Sequence, residues 1–275
     1  MFNLNFDENC LSVFNTQELL DTTIYFSWNA EKDYPLINLI LDEEPKFNIS
    51  LFDYTGYLQK ENNKIFYLEK ENWSKKCKFY SFKSEGKGDV LEFISDLESN
   101  IQTNSYVGIF DDDIIIRVSD LNRAIVIGTN AKMSSFQPSL VRCSHISHEF
   151  TVNCSNSIAR KVDWVEVTMI ILKKNLLQSA KPFFKYSISS WGLDCYVFPI
   201  LSITEGIGNY HGIIDASIAS HVRPLQSDKK IYRNGLTANQ EMVEIKKICK
   251  EYLTNMNYEW RTHEEIKKLL DFEFV

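Results

Sequence analysis

Three consecutive aspartates, Asp111, Asp112 and Asp113, stand between two apolar runs, SYVGIF before them and IIIRV after. Like charges on neighbouring residues repel, and a carboxylate taken out of water without a partner is strongly disfavoured. The cluster therefore needs water, a basic side chain or a cation. In an Asp-x-Asp arrangement the first and third side chains can converge on one hard cation. Mg2+ typically takes one or two protein carboxylates and completes its shell with water and substrate phosphates. A solvated acidic turn joining two strands would have the same composition.

Other residues offer chemistry of their own. Asp194 follows Trp191 and Gly192 in SSWGLDCYVF, where it could cap a helix or act as a general base in an apolar wall; the cap is the commoner use. Asp215 and His221 bracket DASIASH, and a lone histidine is more often structural, although neutral imidazole is also a common metal ligand. Trp164 and Glu166 in DWVEVTM would share one side of a strand. There they could hold a sugar, or stand as a core tryptophan and an exposed acid. Cys143, His145, His148 and Cys154 could be drawn as a zinc site, but structural zinc sites present close ligand pairs separated by a longer loop, and this spacing does not match. Lys173, Lys174, Lys181 and Lys185 suit a solvated helix face, or a surface that meets an anionic acceptor or lipid.

Val, Ile and aromatic runs alternate with helical periodicity over the first half, the pattern of an α/β protein with parallel strands. Strands are expected at 22–28, 47–54, 76–82 and 105–110, with helices over YPLINLILDEE and over DVLEFISDLESNI, the latter capped by Asp89. The aspartates then sit at the carboxyl end of the fourth strand. Open α/β sheets bind ligands in the crevice beyond such ends, which favours the metal reading. Farther on, SDLNRAIVIGTNAKM reads as a helix, the next segment breaks at Pro138, 141–154 and 163–172 read as strands, and 174–189 as a helix. The tail is helical: Met242, Ile245, Cys249 and Tyr252 make an apolar stripe, and Thr262 with Glu265 suggests a capping box. The pattern predicts one α/β domain over 1–230 and a C-terminal helical extension over 231–275 packed on it.

With 275 residues, 44% hydrophobic and 24% charged, the composition is that of an ordinary globular protein. The formal charge of −7 argues against nucleic acid as the main partner, because phosphate-backbone binding needs clustered Lys and Arg. The six cysteines are too scattered for a disulfide scaffold and read as reduced and mostly buried. Neither a leader with a basic start and apolar core nor a stretch of membrane-spanning length is visible, so the cytoplasm is the expected location.

Taken in order, FNISLFDYTG, ENWSKKCKFYSF, VGIFDDDI, FQPSL, VDWVEVTM, WGLD and GIIDASIASHVRP resemble a nucleotide-sugar glycosyltransferase of the GT-A fold. More narrowly, they resemble the glycosyltransferase-like family catalogued as domain of unknown function 707. The likeness runs over residues 45–226 and implies a Rossmann-like mixed sheet, mainly parallel and flanked by helices. It implies a divalent cation, Mn2+ or Mg2+, held by Asp113, His221 and, directly or through water, Asp111. Asp194 would take the place of the general base of inverting members. Ser27, Trp28, Asp53, Asp112 and Arg223 would lie against a nucleotide-sugar donor, expected to be a UDP-sugar. Trp164, Glu166 and Trp191 would lie against a glycan or glycolipid acceptor. The implied activity is metal-dependent sugar transfer in surface polysaccharide synthesis, at or near a membrane surface. The family pattern follows its aromatic residue with Asp-Glu-Asp, where this chain has Phe110 and three aspartates. Two other functions fit the same residues. A nucleotidyl- or phosphotransferase would also hold a cation on phosphates, and a binding module could keep the fold without turnover.

Overall fold

Every residue of the strand Tyr106–Phe110 is buried, a state that requires neighbours on both edges and cover on both faces. The computed structural model, which describes residues 21–32, 38–60, 77–99, 105–224, 229–259 and 261–271, supplies both. Its strands are β1 (Thr23–Trp28), β2 (Leu39–Ile40), β3 (Asn48–Asp53), β4 (Lys78–Ser81), β5 (Tyr106–Phe110), β6 (Ile114–Arg117), β7 (Ser135–Leu140), β8 (Arg160–Val162), β9 (Met169–Lys173) and β10 (His211–His221). They form one sheet in the order β2-β6-β10-β7-β9-β5-β1-β3-β4, with β8 also on β10. The pairings β4-β3-β1-β5, β10-β7 and β2-β6 are parallel, while β9 runs antiparallel to β5 and β7, and β6 and β8 run antiparallel to β10. The sheet is thus mixed and mainly parallel, as expected.

Alternation along the strands divides the core between the two faces. Tyr25, Phe52, Val107 and Ile109 face the helices α2 (Lys87–Leu97), α4 (Lys174–Phe184) and α5 (Phe198–Thr204). Ile24, Phe26, Leu51 and Phe110 face α3 (Val118–Asn130), through Leu121, Ala124 and Ile125. A single turn, α1 (Tyr57–Lys60), follows β3. The C-terminal helices α6 (Ala238–Asn255) and α7 (Glu264–Asp271) join the first core: Met242, Ile245, Cys249 and Leu253 pack with Ile266, Leu269 and Leu270 against Leu193 and Val197. Among the described residues no helix is long and apolar enough to cross a membrane.

Several local expectations are corrected. The helix expected over YPLINLILDEE is, where described, the edge strand β2, whose Ile40 is exposed, followed by a turn in which Leu41 is exposed too; residues 33–37 lie outside the described residues. Asp42 of that turn instead accepts from Ser119 N and Oγ at the start of α3. Asp89 is not the N-cap of α2; Gly86 is, and Asp89 reaches back from the first turn to accept from Glu85 N at 2.9 Å. Residues 141–154 are a loop with one 3-10 turn at Glu149–Thr151, and 163–168 are also outside the strands, so Trp164 and Glu166 do not share a strand face. The helix expected to 189 ends at Phe184. A capping box forms at Thr237 and Gln240 of α6, whereas the Thr262 hydroxyl donates to Glu259 O. Cys195 and Cys249 are buried, Cys77 and Cys154 half-buried and Cys143 exposed; Cys10 lies outside the described residues.

Pro138, expected to break a segment, lies inside the buried strand β7. Its missing N–H is accommodated because the partner β10 bulges, with Ile214 opposite Pro138 and Ile218 opposite Ser139. The bulge turns Asp215 onto Arg160, whose Nε and Nη2 donate to its two oxygens at 2.7 and 2.9 Å, while Cys154 N adds a third bond. Asp215 is therefore a structural anion. Both side chains are buried, so removing one partner strands the other. Arg160→Met is expected to lower the unfolding free energy by about 3–5 kcal/mol in urea titrations; a loss below ~1 kcal/mol would show that the pair does not hold the bulge.

Candidate active site

The register of the sheet brings distant acids and bases together. Phe110 pairs with Phe26, so the aspartates emerge beside the end of β1, and His221 pairs with Ile114, so β10 delivers its last residue to the same place. Val222 N then donates to Asp113 O at 3.0 Å. A cavity of about 650 Å³ opens there, bordered by Asp111–Asp113, Ser27, Lys87, Trp191, His221 and Arg223.

Each carboxylate has a basic partner. Lys87 Nζ meets Asp111 Oδ1 at 2.7 Å. Arg223 pairs with Asp112 through Nη2 and with Asp113 Oδ2 through Nε at 3.2 Å. Asp112 Oδ2 also accepts from the Tyr54 hydroxyl at 2.8 Å, and its carbonyl accepts from Asn38 Nδ2. Burial pushes the Asp111 carboxyl above its ordinary range, and the neighbouring aspartates add to this against the opposing charge of Lys87. Burial also works against the charge of Asp113, but the hydrogen bond and charge of His221, with Arg223 and Lys87, outweigh it and hold that carboxyl low.

His221 Nε2 lies 3.4 Å from Asp113 Oδ2, and its Nδ1 lies 3.1 Å from His145 O. A carbonyl can only accept, so Nδ1 carries a proton; in the neutral ring Nε2 then presents a lone pair toward the aspartates. That is the arrangement of a metal-ligating histidine oriented from behind. Asp113 Oδ1 is buried and has no hydrogen-bond partner. The pair fits one divalent cation that takes its other ligands from water and a phosphate. Among the described residues no three His, Cys, Asp or Glu side chains converge as a complete cage, and this applies equally to the drawn zinc set.

Two backbone contacts shape the walls. A Cβ on Gly88 would lie 1.9 Å from Ser187 O, and one on Gly86 would lie 2.2 Å from Ile188 O, so only glycines let the start of α2 rest on that turn. Gly88 N donates to Ile188 O at 2.9 Å. The turn is held in turn by buried Glu241 of α6, which accepts from Ile188 N at 3.0 Å and Ser189 N at 2.8 Å. Ser190 and Gly192 both adopt positive φ, 79° and 87°, and Gly192 leaves just enough room for Ile245. Farther along, Arg233 pairs with Glu85 and Asp89, and Lys230 donates to Glu85 O. Lys87, Tyr54, Glu241 and the segment 229–233 escaped the sequence analysis. The two glycines of EGKG, Gly86 and Gly88, were the one signal available.

The remaining expected residues fall into two groups. Asp194 lies just behind the cavity wall formed by Trp191 and Val167: its Oδ1 accepts from Cys195 N at 2.9 Å and its Oδ2, weakly, from Val167 N at 3.4 Å. Burial raises its pKa to about 6. Burial and the charge of Asp194 raise that of Glu166 to about 8; Glu166 Oε1 has no hydrogen-bond partner and lies 3.8 Å from His148 Nε2. Trp164 packs edge-on against His148 and Phe150 and borders a second cavity of about 370 Å³ with Cys195. Trp28 is buried away from the cavity lining. Asp53 is consumed locally: Oδ1 accepts from Thr55 N and Oγ1, and Oδ2 from Leu58 N and Ser81 Oγ, which makes it the cap of the turn after β3.

No protein-family model and no curated protein sequence matches the chain. Solved structures do. A crystal structure of GalNAc-T7 with UDP, GalNAc and Mn2+ superposes with a TM-score of 0.53 at 10% identity, covering 84% of this chain and 49% of that one. Structures of TarS 1–349 from S. aureus superpose with TM-scores of 0.46, in complex with UDP-GlcNAc at 11% identity and with UDP at 13%; each covers 83% of this chain, and 64% and 63% of the TarS chain. The chain thus spans about half the length of the GalNAc-T7 structure and under two thirds of the TarS structures. The fold is GT-A: a curled, mostly parallel sheet flanked by helices, shared with glycosyltransferases.

The Asp113 hydrogen bond raises the pKa of His221 above its ordinary value, against the opposing effect of burial. Protonation of His221 therefore stabilises the fold. That contribution is full below about pH 6.5 and is lost as pH rises through the raised value. The depressed Asp113 acts oppositely, its contribution being lost as pH falls through its lowered value. In cation-free protein the His221 ring resonances should titrate above the ordinary midpoint, and Asp113→Asn should move the midpoint down; an unmoved midpoint would break the assignment.

Proposed function

We propose that the chain is a metal-dependent glycosyltransferase that moves a sugar from a nucleotide diphosphate-sugar, with UDP as the expected nucleotide, to a hydroxyl of a glycan or glycolipid. The observation that carries this reading is the pairing, at the strand ends of a GT-A sheet, of the unpartnered Asp113 Oδ1 with a His221 ring whose Nδ1 is already committed. The three carboxylates converge at this rim, with Lys87 on Asp111 and Arg223 on Asp112 and Asp113. Asp113 and His221 would hold Mn2+ or Mg2+, with Asp111 reaching it through water. Such a cation, when bound, neutralises charge developing on the departing diphosphate.

The protein's own groups do the rest. Arg223 and Asp112 would flank the donor, and Ser27, which also borders the cavity, would lie against its nucleoside. Asp194, with a pKa near 6, is ionised at neutral pH yet basic enough to take the proton of the attacking hydroxyl at Oδ2, its less firmly bonded oxygen. With Asp194 as that base, the transfer would invert the anomeric carbon. Trp191 gives the cavity an apolar surface for the sugar, whereas Trp164 borders the second cavity and Glu166, mostly protonated at pH 7 with its pKa near 8, is buried and lines neither, so the expected acceptor role stays with Trp191. Membership of the family of domain of unknown function 707, a role in surface polysaccharide synthesis and a cytoplasmic place against the membrane belong to the same proposal and rest on the sequence resemblance.

Release of a nucleoside diphosphate together with sugar transfer supports this reading, and release of pyrophosphate supports a nucleotidyltransferase. Asp194→Asn is expected to keep UDP affinity and lose about 10²- to 10⁴-fold in turnover, and the wild-type rate should fall on the acid side below about pH 6; near-normal turnover would remove Asp194 from the role. Asp113→Asn and His221→Ala should each weaken Mn2+-dependent UDP binding by more than ~1 kcal/mol, read by calorimetry. Unchanged affinity in both would sink the metal assignment.

A further inference from the structure

Lys87 stands in the first turn of α2 with its side chain only 10% exposed, and its ammonium borders the cavity on Asp111. Lysines are rarely so enclosed, because burial costs the side chain its rotamer freedom and its hydration. The backbone imposes this position. Gly86 and Gly88, on either side, touch the carbonyls of Ile188 and Ser187 so closely that no other residue fits without a shift, and Glu241 fixes that turn from behind. An ammonium has three N–H donors. Among the described residues Asp111 is the one hydrogen-bond acceptor for it, leaving two donors toward the cavity.

Resting on the glycosyltransferase reading, we propose that Lys87 is a donor-binding residue: its ammonium stays on Asp111 and gives its remaining donors to the diphosphate. Part of nucleotide binding is then carried by the protein's own charge and survives removal of divalent cations. This differs from the role of Asp113 and His221, whose contribution requires the cation. It also explains why Asp111 faces a lysine while Asp113 keeps an unpartnered oxygen.

The test is UDP binding by calorimetry, in EDTA and in Mn2+, for wild type, Lys87→Met and Lys87→Arg, with thermal melts to establish folding. Wild type should bind UDP measurably in EDTA. Lys87→Met should weaken that binding about tenfold or more, and Lys87→Arg should restore most of it. Should Lys87→Met fail to fold, Lys87→Gln, which keeps a polar tip, replaces it with the same expected loss. Equal affinity of folded Lys87→Met or Lys87→Gln and wild type in EDTA overturns the inference alone, as does wild type that binds UDP in Mn2+ but not in EDTA. Wild type that binds no nucleoside diphosphate under either condition overturns the glycosyltransferase reading and this inference with it.

Discussion

The need to counter-charge three adjacent carboxylates at the end of a buried strand organises this molecule. Asp111, Asp112 and Asp113 cannot be left to water alone, because β5 carries them to the rim of the core and burial raises the free energy of any charge there. The counter-charges come from far along the chain. Lys87 arrives on α2, His221 arrives as the last residue of β10, and Arg223 follows two residues beyond it. The parallel pairing of β1 with β5 and the antiparallel pairing of β10 with β6 are what make those arrivals coincide. Topology thus converts a repulsive sequence into a binding crevice.

Shape depends on a second constraint, the contact between two backbone segments at Gly86–Gly88 and Ser187–Ile188. Nothing larger than hydrogen can stand between them, so Lys87 is aimed by the main chain and not by its own rotamer preference. Glu241 extends this support into α6, and Ile245 packs beneath Gly192. Helix α6, which also gives Ala238 to the cavity lining, is consequently part of the wall of the site. Residues 230–233, by bonding Glu85 and Asp89, close the same edge.

Asp53 and Asp215 illustrate why acid residues near strand ends do not all belong to a site. Both looked available in the sequence, and both are fully engaged, Asp53 by hydroxyls and amides of its own turn and Asp215 by Arg160. Glu166 is the opposite case, a buried acid with one oxygen unpartnered beside Asp194. Hydrogen-bond satisfaction separates structural anions from those poised for a ligand, and it depends on groups that residue type alone does not reveal.

The sequence by itself was enough to read the alternating α/β pattern, the central strand, the placing of Asp111–Asp113 at its carboxyl end and the apolar stripe of α6. These depend on local periodicity and on the short-range rule that a strand of apolar residues is buried. It misread Pro138, because tolerance of proline inside a sheet depends on a bulge in the partner strand, and it misread 141–154, whose bonds run to β7 and β10. Lys87 was hidden for the same reason: a lysine between two glycines describes a turn until the turn it presses against is known. Tertiary structure alone decided which acids are paired, which remain open and which bases meet them. Charge compensation acts over a few ångströms in space, and those distances are set by strand register, to which neighbouring residues in the chain give no access.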